Sequence, residues 1–196
     1  MPELRLGFWN AWLFMSVFII QMLAIAVINK RAWERSHVSD EARINAFERS
    51  ISRIANFFWL LALGYSVFLP LQLGTIWFSI GLTIFILGLV FLGTATYSFV
   101  STPTDEIITG GVYQLSRHPM YLGTFLICLG SGIAAGSWLF IFLTIVMALC
   151  FYQEAQIEER SCLKIYGTAY QDYMYRTRRC FGLPKILKKG EGGSQE

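Results

Sequence analysis

Three stretches of this chain contain no Asp, Glu, Lys or Arg: Leu6–Asn29, Ile54–Thr104 and His118–Gln153. A helix that crosses the hydrocarbon of a bilayer needs about 20 apolar residues. The first stretch therefore fits one span and the second two. The third, 36 residues long, fits a hairpin of two short helices. Charged residues make up only 15% of the chain, against roughly 25% in soluble domains. The expected fold is all-α: a polytopic integral membrane protein with five transmembrane helices, the last two a helical hairpin. Residues 1–100 form a three-span scaffold in this reading. Residues 101–196 add a loop, the hairpin and a cytosolic tail, integrated with that scaffold.

The first span is expected at about Phe8–Ile28, with Phe8, Trp9 and Trp12 at one interface. Its run is span-length and has no small-residue cleavage site before Lys30-Arg31, so it does not read as a cleaved signal peptide. Lys30 to Arg53 holds six Lys/Arg and four Asp/Glu. Ile44, Phe47, Ile51, Ile54 and Phe58 fall on one helical stripe there, apart from Glu41, Glu48, Arg49 and Arg53. The segment reads either as a surface-lying amphipathic helix feeding the second span or as a solvated charged loop. The second span runs to about Leu69, and Pro70–Gly74 turns the chain into a third at about Ile76–Phe99. Gly74, Gly81 and Gly88 recur every seven residues, on one side where another backbone can approach. Ser101–Ser116 is too long for an ordinary helix link. The hairpin arms are expected at Tyr121–Ala135 and Trp138–Tyr152, turning at Gly136-Ser137. Helix formers continue past the second arm to Tyr166, where Gly167 offers a stop.

Alternating five spans leaves Arg5 on one side and the other fifteen of sixteen Lys/Arg on the opposite side. By the positive-inside rule that side is the cytosol. It carries the Gly110–Arg117 segment, the helix extension at Glu154 and the C-terminal tail. The membrane would be the plasma membrane in a prokaryote or the endoplasmic reticulum in a eukaryote. Cys128, Cys150, Cys162 and Cys180 form no C-x-x-C pair, and there are two histidines. No metal site is expected, and no nucleic-acid partner.

Within Gly110–Gly123, Arg117 and His118 precede Pro119, which suits the first position of a helix. The unpaired N–H groups of such a helix face the Arg-His edge and favour an anion. This is either a ligand-binding turn or a membrane entry, with Arg117 at lipid phosphates and Tyr121 in the aromatic belt. After the fifth span, Glu154 and Glu158 lie one turn apart on one helix face. A carboxylate at the membrane edge needs a cationic partner. That partner is either Arg117 or the cationic group of a ligand received by Glu158.

Arg117-His118-Pro119-x-Tyr121-x-Gly123 follows Gly111-Val112-Tyr113, and Glu158-Glu159-x-x-x-Leu163-x-x-x-Gly167-x-x-Tyr170-x-x-Tyr173 comes after the hairpin. Taken together, this pattern resembles the isoprenylcysteine carboxyl methyltransferase family and the related phospholipid N-methyltransferases, from about Asp105 to Pro184. The resemblance implies S-adenosylmethionine as cofactor. By position it assigns Glu106, Ile107, Ile108, Tyr113, His118, Pro119, Met120, Tyr121 and Glu158 to the cofactor. Glu158 suits its α-ammonium; Arg117 or the N–H groups after Pro119 suit its α-carboxylate. It implies methyl transfer to a lipid-tailed acceptor entering from the bilayer, of the protein C-terminal prenylcysteine carboxylate type. Such a carboxylate is already ionised and needs no base. An amine acceptor would have to lose a proton, and then Glu159 or Glu154 become base candidates. Arg117, Glu159 and Glu154 are accordingly the candidate catalytic residues.

One departure bears on the acceptor. The eukaryotic prenylcysteine enzymes carry a basic residue about one turn before the Glu pair, where this chain has Glu154. A phospholipid or small-amine N-methyltransferase is therefore an alternative. A second is an NADPH-dependent sterol- or enone-type reductase, which the tail Glu159, Cys162, Lys164–Gly167 and Tyr173 also resembles. Such reductases usually carry Asn where Pro119 stands. A structural or transport bundle is a third, although the spans hold few polar groups beyond Gln21. The Tyr170, Tyr173, Tyr175, Arg176, Arg178 and Arg179 tail is expected at the lipid interface.

Overall fold

The computed structural model describes residues 3–28, 46–103, 105–180 and 182. Among them are six α-helices and no named strand. The helices are α1 (Trp12–Ile28), α2 (Ala46–Val67), α3 (Ile76–Ser101), α4 (Pro119–Ala134), α5 (Trp138–Tyr166) and α6 (Thr168–Arg176); a 3-10 turn covers Gly111–Gln114. Their boundaries follow local chemistry. The Thr75 and Ser137 hydroxyls accept from the N–H groups of Phe78 and Phe140, opening α3 and α5. Pro119 opens α4. Gly167, at φ +55°, ends α5.

α3 and α5 are long and apolar enough to cross a membrane, and only 22% and 33% of their most apolar windows are buried. Their hydrophobic surface therefore faces outward, as it does when lipid is the solvent. α1 and α4 are shorter apolar helices. The core lies between them: Phe14 and Met15 of α1, Phe85 and Leu92 of α3, Ile127 of α4, and Phe140 and Met147 of α5. Phe14 stacks on Phe85 at 4.1 Å between ring centres. Gln21 donates to the Thr96 hydroxyl at 2.9 Å, which satisfies a polar side chain inside the apolar run of α1.

α2 faces the opposite way from a soluble amphipathic helix. Glu48, Ser52 and Ala55 are buried, while Phe47 and Ile54 are exposed. Glu48 pairs with Arg160, and Ser52 donates to the Glu154 carboxylate, so a polar seam joins α2 to α5. Ile44 and the rest of 29–45 lie outside the described residues. At the other end of the bundle, Arg5 N–H donates to the Phe68 carbonyl and Gln72 N–H to the Ala134 carbonyl.

The closest approach is between α3 and α4. A Cβ built on Gly81 would lie 2.3 Å from the Ala134 nitrogen, and one on Gly130 2.6 Å from the Gly81 carbonyl. Gly88 and Gly123 extend the same seam. The expected heptad of glycines thus holds for Gly81 and Gly88. Gly74 lies ahead of the helix in a turn, at φ +77°, with nothing near its Cβ position. Gly81→Ala or Gly130→Ala will lower the thermal unfolding midpoint in detergent, at a cost of about 1–3 kcal/mol for an overpacked contact. Gly93→Ala, in α3 with open space around it, will be neutral or slightly stabilising. Equal losses at Gly81 and Gly93 would show that the seam is not close-packed.

Candidate active site

The loop ahead of α4 is held by the chain that follows α6. Arg117 N–H donates to the Arg178 carbonyl, and Gly182 N–H to the Leu115 carbonyl, each at 3.0 Å. The Ser116 hydroxyl donates to the Arg179 carbonyl at 3.0 Å and accepts from His118 N–H at 3.1 Å. These bonds fix His118 at the mouth of α4 and set Arg117 and Arg179 over the end of α5.

Glu159 is 2% exposed and stands at the centre. Its carboxylate accepts from Arg117 Nε at 2.9 Å, from Arg179 Nη2 at 2.7 Å and Nε at 3.1 Å, and faces His118 Nε2 at 3.2 Å. Arg117 also donates through Nη1 to the Met174 and Thr177 carbonyls, closing the end of α6. Burial alone would raise the Glu159 carboxyl. The His118 and Arg179 bonds and the Arg117 charge outweigh it and hold the group at about 2. A carboxylate so stabilised is a poor proton acceptor, and the geometry makes it the support of the loop.

Glu158, the next residue, has a different setting. Its side chain is 32% exposed; Tyr121 donates to it at 2.6 Å and His118 Nδ1 lies 3.4 Å away. Each His118 nitrogen thus faces a carboxylate. Burial would depress the imidazole, but Glu158 and Glu159 together keep it above 6.5. His118 stacks on Tyr121 at 5.6 Å, and Tyr121 on Phe151 at 4.9 Å, nearly parallel in both cases. Beside this column is a cavity of about 200 Å³ between α4 and α5. Its wall is formed by Leu122, Phe125, Ala148, Phe151 and Ala155, with His118, Tyr121, Tyr152, Arg179 and Cys180 completing it.

The structure thus joins Arg117, His118, Tyr121, Glu158 and Glu159 in one cluster. Pro119 is buried directly beneath it. Tyr113 is buried in the 3-10 turn, where its carbonyl accepts from the Tyr173 hydroxyl at 2.7 Å. Met120 packs against the core. Glu106, Ile107 and Ile108 lie in the loop and do not line the cavity. Glu154 is buried against Ser52 of α2 and does not line it either. Its charge is therefore not offered to a molecule in the cavity. Tyr170 and Tyr173, expected at the lipid interface, are instead buried, whereas Tyr175 is exposed. Arg179, also expected among lipid headgroups, stands in the cavity wall. Ala148, Phe151 and Ala155 could have been read from helical spacing back from Glu158. No spacing signals Arg179.

The cluster sets a pH dependence. His118 is raised on folding, so its contribution is complete below about 6.5 and lost as pH rises through the folded value. Glu159 is lowered, so its contribution holds above its ordinary value of 4.5 and disappears as pH falls towards about 2. The unfolding midpoint should therefore fall on both flanks. His118→Gln will flatten the alkaline flank and, because His118 helps to lower Glu159, shrink the acid one without abolishing it, as thermal melts from pH 3 to 9 would show; an unaltered alkaline flank would exclude His118 as its source.

The family model for phospholipid methyltransferases matches residues 69–169, just over half of the 196-residue chain. A protein-S-isoprenylcysteine O-methyltransferase of Schizosaccharomyces pombe is 31% identical over 81 residues, which is 41% of this chain and 34% of that protein. The match thus spans about a third of that relative's length. The family match runs through α3, α4 and α5 and takes in both halves of the charged cluster. On that extent of agreement the chain belongs to the phospholipid methyltransferase family, and a protein-S-isoprenylcysteine O-methyltransferase is among the proteins it resembles.

Proposed function

We propose that the chain transfers a methyl group from S-adenosylmethionine to a lipid-tailed acceptor, of the protein C-terminal prenylcysteine carboxylate type. The observation that carries this reading is the meeting of Glu158 with Tyr121 and His118, at 2.6 and 3.4 Å, across 37 and 40 residues of sequence. A partly exposed carboxylate, oriented by a phenol and an imidazole, suits a cation arriving from water. In the same proposal, α1, α2, α3, α4 and α5 are the five spans, the last two as a hairpin, with the cluster on the cytosolic side. The plasma membrane or the endoplasmic reticulum would house it according to the organism.

Bound there, the cofactor supplies a methyl group on a sulfonium sulfur. Glu158 would hold its α-ammonium, with Tyr121 and His118 keeping the carboxylate in place. The N–H groups at the start of α4 suit its α-carboxylate. Glu106, Ile107, Ile108, Tyr113, Pro119 and Met120 are assigned to the cofactor on the resemblance alone. Arg117 and Glu159 would act by positioning: their ion pair fixes His118 and the mouth of α4. Glu154 would act through α2, which it anchors. A carboxylate acceptor asks no side chain to take a proton at neutral pH. The apolar wall of Leu122, Phe125 and Phe151 keeps water from the reacting groups, and alignment supplies the rate.

Calorimetry in detergent tests the assignment. Native protein should bind S-adenosylmethionine in preference to NADPH, and Glu158→Ala should weaken it at least about tenfold, roughly 1.4 kcal/mol for a lost charged contact. Undiminished affinity in the variant removes Glu158 from the site. Binding of NADPH alone would turn the assignment to a reductase.

A further inference from the structure

The cavity between α4 and α5 has an uneven distribution of charge. Its body is hydrocarbon, from Leu122, Phe125, Ala148, Phe151 and Ala155, and its polar end holds Arg179 and His118. Glu159 touches both of those groups and Glu158 touches His118, but neither carboxylate lines the space. The wall thus offers the Arg179 guanidinium and no carboxylate, since both His118 nitrogens already face Glu158 and Glu159.

Arg179 is also fixed in direction. Glu159 takes its Nε and Nη2, the Tyr152 hydroxyl accepts from Nη1 at 3.1 Å, and the guanidinium carbon lies 5.2 Å from the centre of the Tyr152 ring. Its backbone carbonyl is held by Ser116. These bonds engage one hydrogen on each nitrogen of a fork that has five. A guanidinium fixed in this way, at the end of an apolar cavity, is pre-organised for a planar anion. An ammonium end group would meet two basic side chains there. A neutral one would not repay the desolvation of the cation.

We propose that Arg179 determines which acceptor is methylated, by binding an anionic oxygen group carried at the end of an aliphatic tail. The proposal rests on the methyltransferase reading above and adds the residue that reads the acceptor's charge. A carboxylate beside a prenyl chain has this chemistry, and so does a phosphodiester beside an acyl chain. Arg179 lies beyond the stretch matched by the family model, which ends at residue 169. That is where a residue that distinguishes acceptors can differ among proteins sharing one reaction. Glu154, with its charge turned to Ser52, does not oppose an anion in the cavity.

The test compares binding of an S-farnesylcysteine free acid and of its uncharged carboxamide to the full chain in nanodiscs, with a lysophosphatidylethanolamine as a third ligand. Native protein should bind the acid, or the phospholipid, at least tenfold more tightly than the amide. Whichever anion is preferred identifies its source. In Arg179→Gln the acid-to-amide ratio should collapse towards one, whereas a general loosening of the Glu159 cluster would weaken both ligands alike and leave the ratio in place. Arg179→Lys, which keeps the charge and loses the fork, should fall between. A native preference near one, or one preserved in Arg179→Gln, overturns the proposal. Should Arg179→Gln fail to fold, the native ratio and the lysine variant decide: a native ratio near one, or a lysine variant that discriminates as well as the native protein, overturns it. Failure of native protein to bind S-adenosylmethionine would instead remove the underlying reading, an outcome visible separately.

Discussion

A single buried carboxylate organises the polar half of this molecule. Glu159 draws Arg117 from the loop ahead of α4, His118 from the mouth of that helix and Arg179 from the chain beyond α6. Removing one partner from a buried ion pair typically costs about 3–5 kcal/mol, because the remaining charge has lost its compensation. Three cations on one carboxylate make the arrangement tolerant of strain at any one of them. They also oblige three distant segments to meet at one point. The loop could not be held in this way by apolar packing, since Ser101–Ser116 contributes few large apolar side chains to the core.

The apolar half follows another rule. With lipid outside, hydrophobicity does not drive helix against helix, and close backbone contact takes its place. Gly81, Gly88, Gly123 and Gly130 let α3 and α4 touch along their length. This seam fixes the start of α4, and with it the height of His118 and Tyr121. α2 joins by a polar seam and an apolar one: Ser52 and Glu48 reach Glu154 and Arg160 on α5, Trp59 and Tyr65 meet Phe18 and Phe140, and Phe47 and Phe57 turn outward.

How much of this was legible in the sequence depended on the range of the interaction. Helix ends were legible because Thr75, Ser137, Pro119 and Gly167 act on their own neighbours. The Gly81–Gly88 repeat was legible because it is periodic, although the same count took in Gly74, which serves a turn. The Arg117-His118 and Glu158-Glu159 pairs announced a shared site only through resemblance. Which carboxylate met which cation was not legible. Arg117 pairs with Glu159 rather than Glu158, and one residue along a helix is a rotation of about 100°. Tyr170 and Tyr173 misled because an interfacial tyrosine and a buried one look alike until the partner is known; Tyr173 found the Tyr113 carbonyl, 60 residues away. Arg179 was hidden beside Arg176 and Arg178 in one basic tail, and only the folded path of that tail sets it apart.

The division between Glu158 and Glu159 has a chemical consequence. Two adjacent carboxylates on an α-helix point in directions about 100° apart, so one can be buried in cations while the other meets water. Glu159 is spent on structure: held at about 2 by its cationic partners, it stays charged at neutral pH. Glu158 keeps a third of its surface open and is steered by groups that Glu159 holds still. A cation bound at Glu158 and an anion bound at Arg179 would then each face a partner of opposite sign. Methyl transfer from a sulfonium to a carboxylate annihilates one charge of each sign, and a site that separates and aims the two before they react lowers the cost of bringing them together. In the proposed reaction the helix that carries the glutamate pair would thereby hold one partner directly, through Glu158, and orient the residue that meets the other, through Glu159 and Arg179.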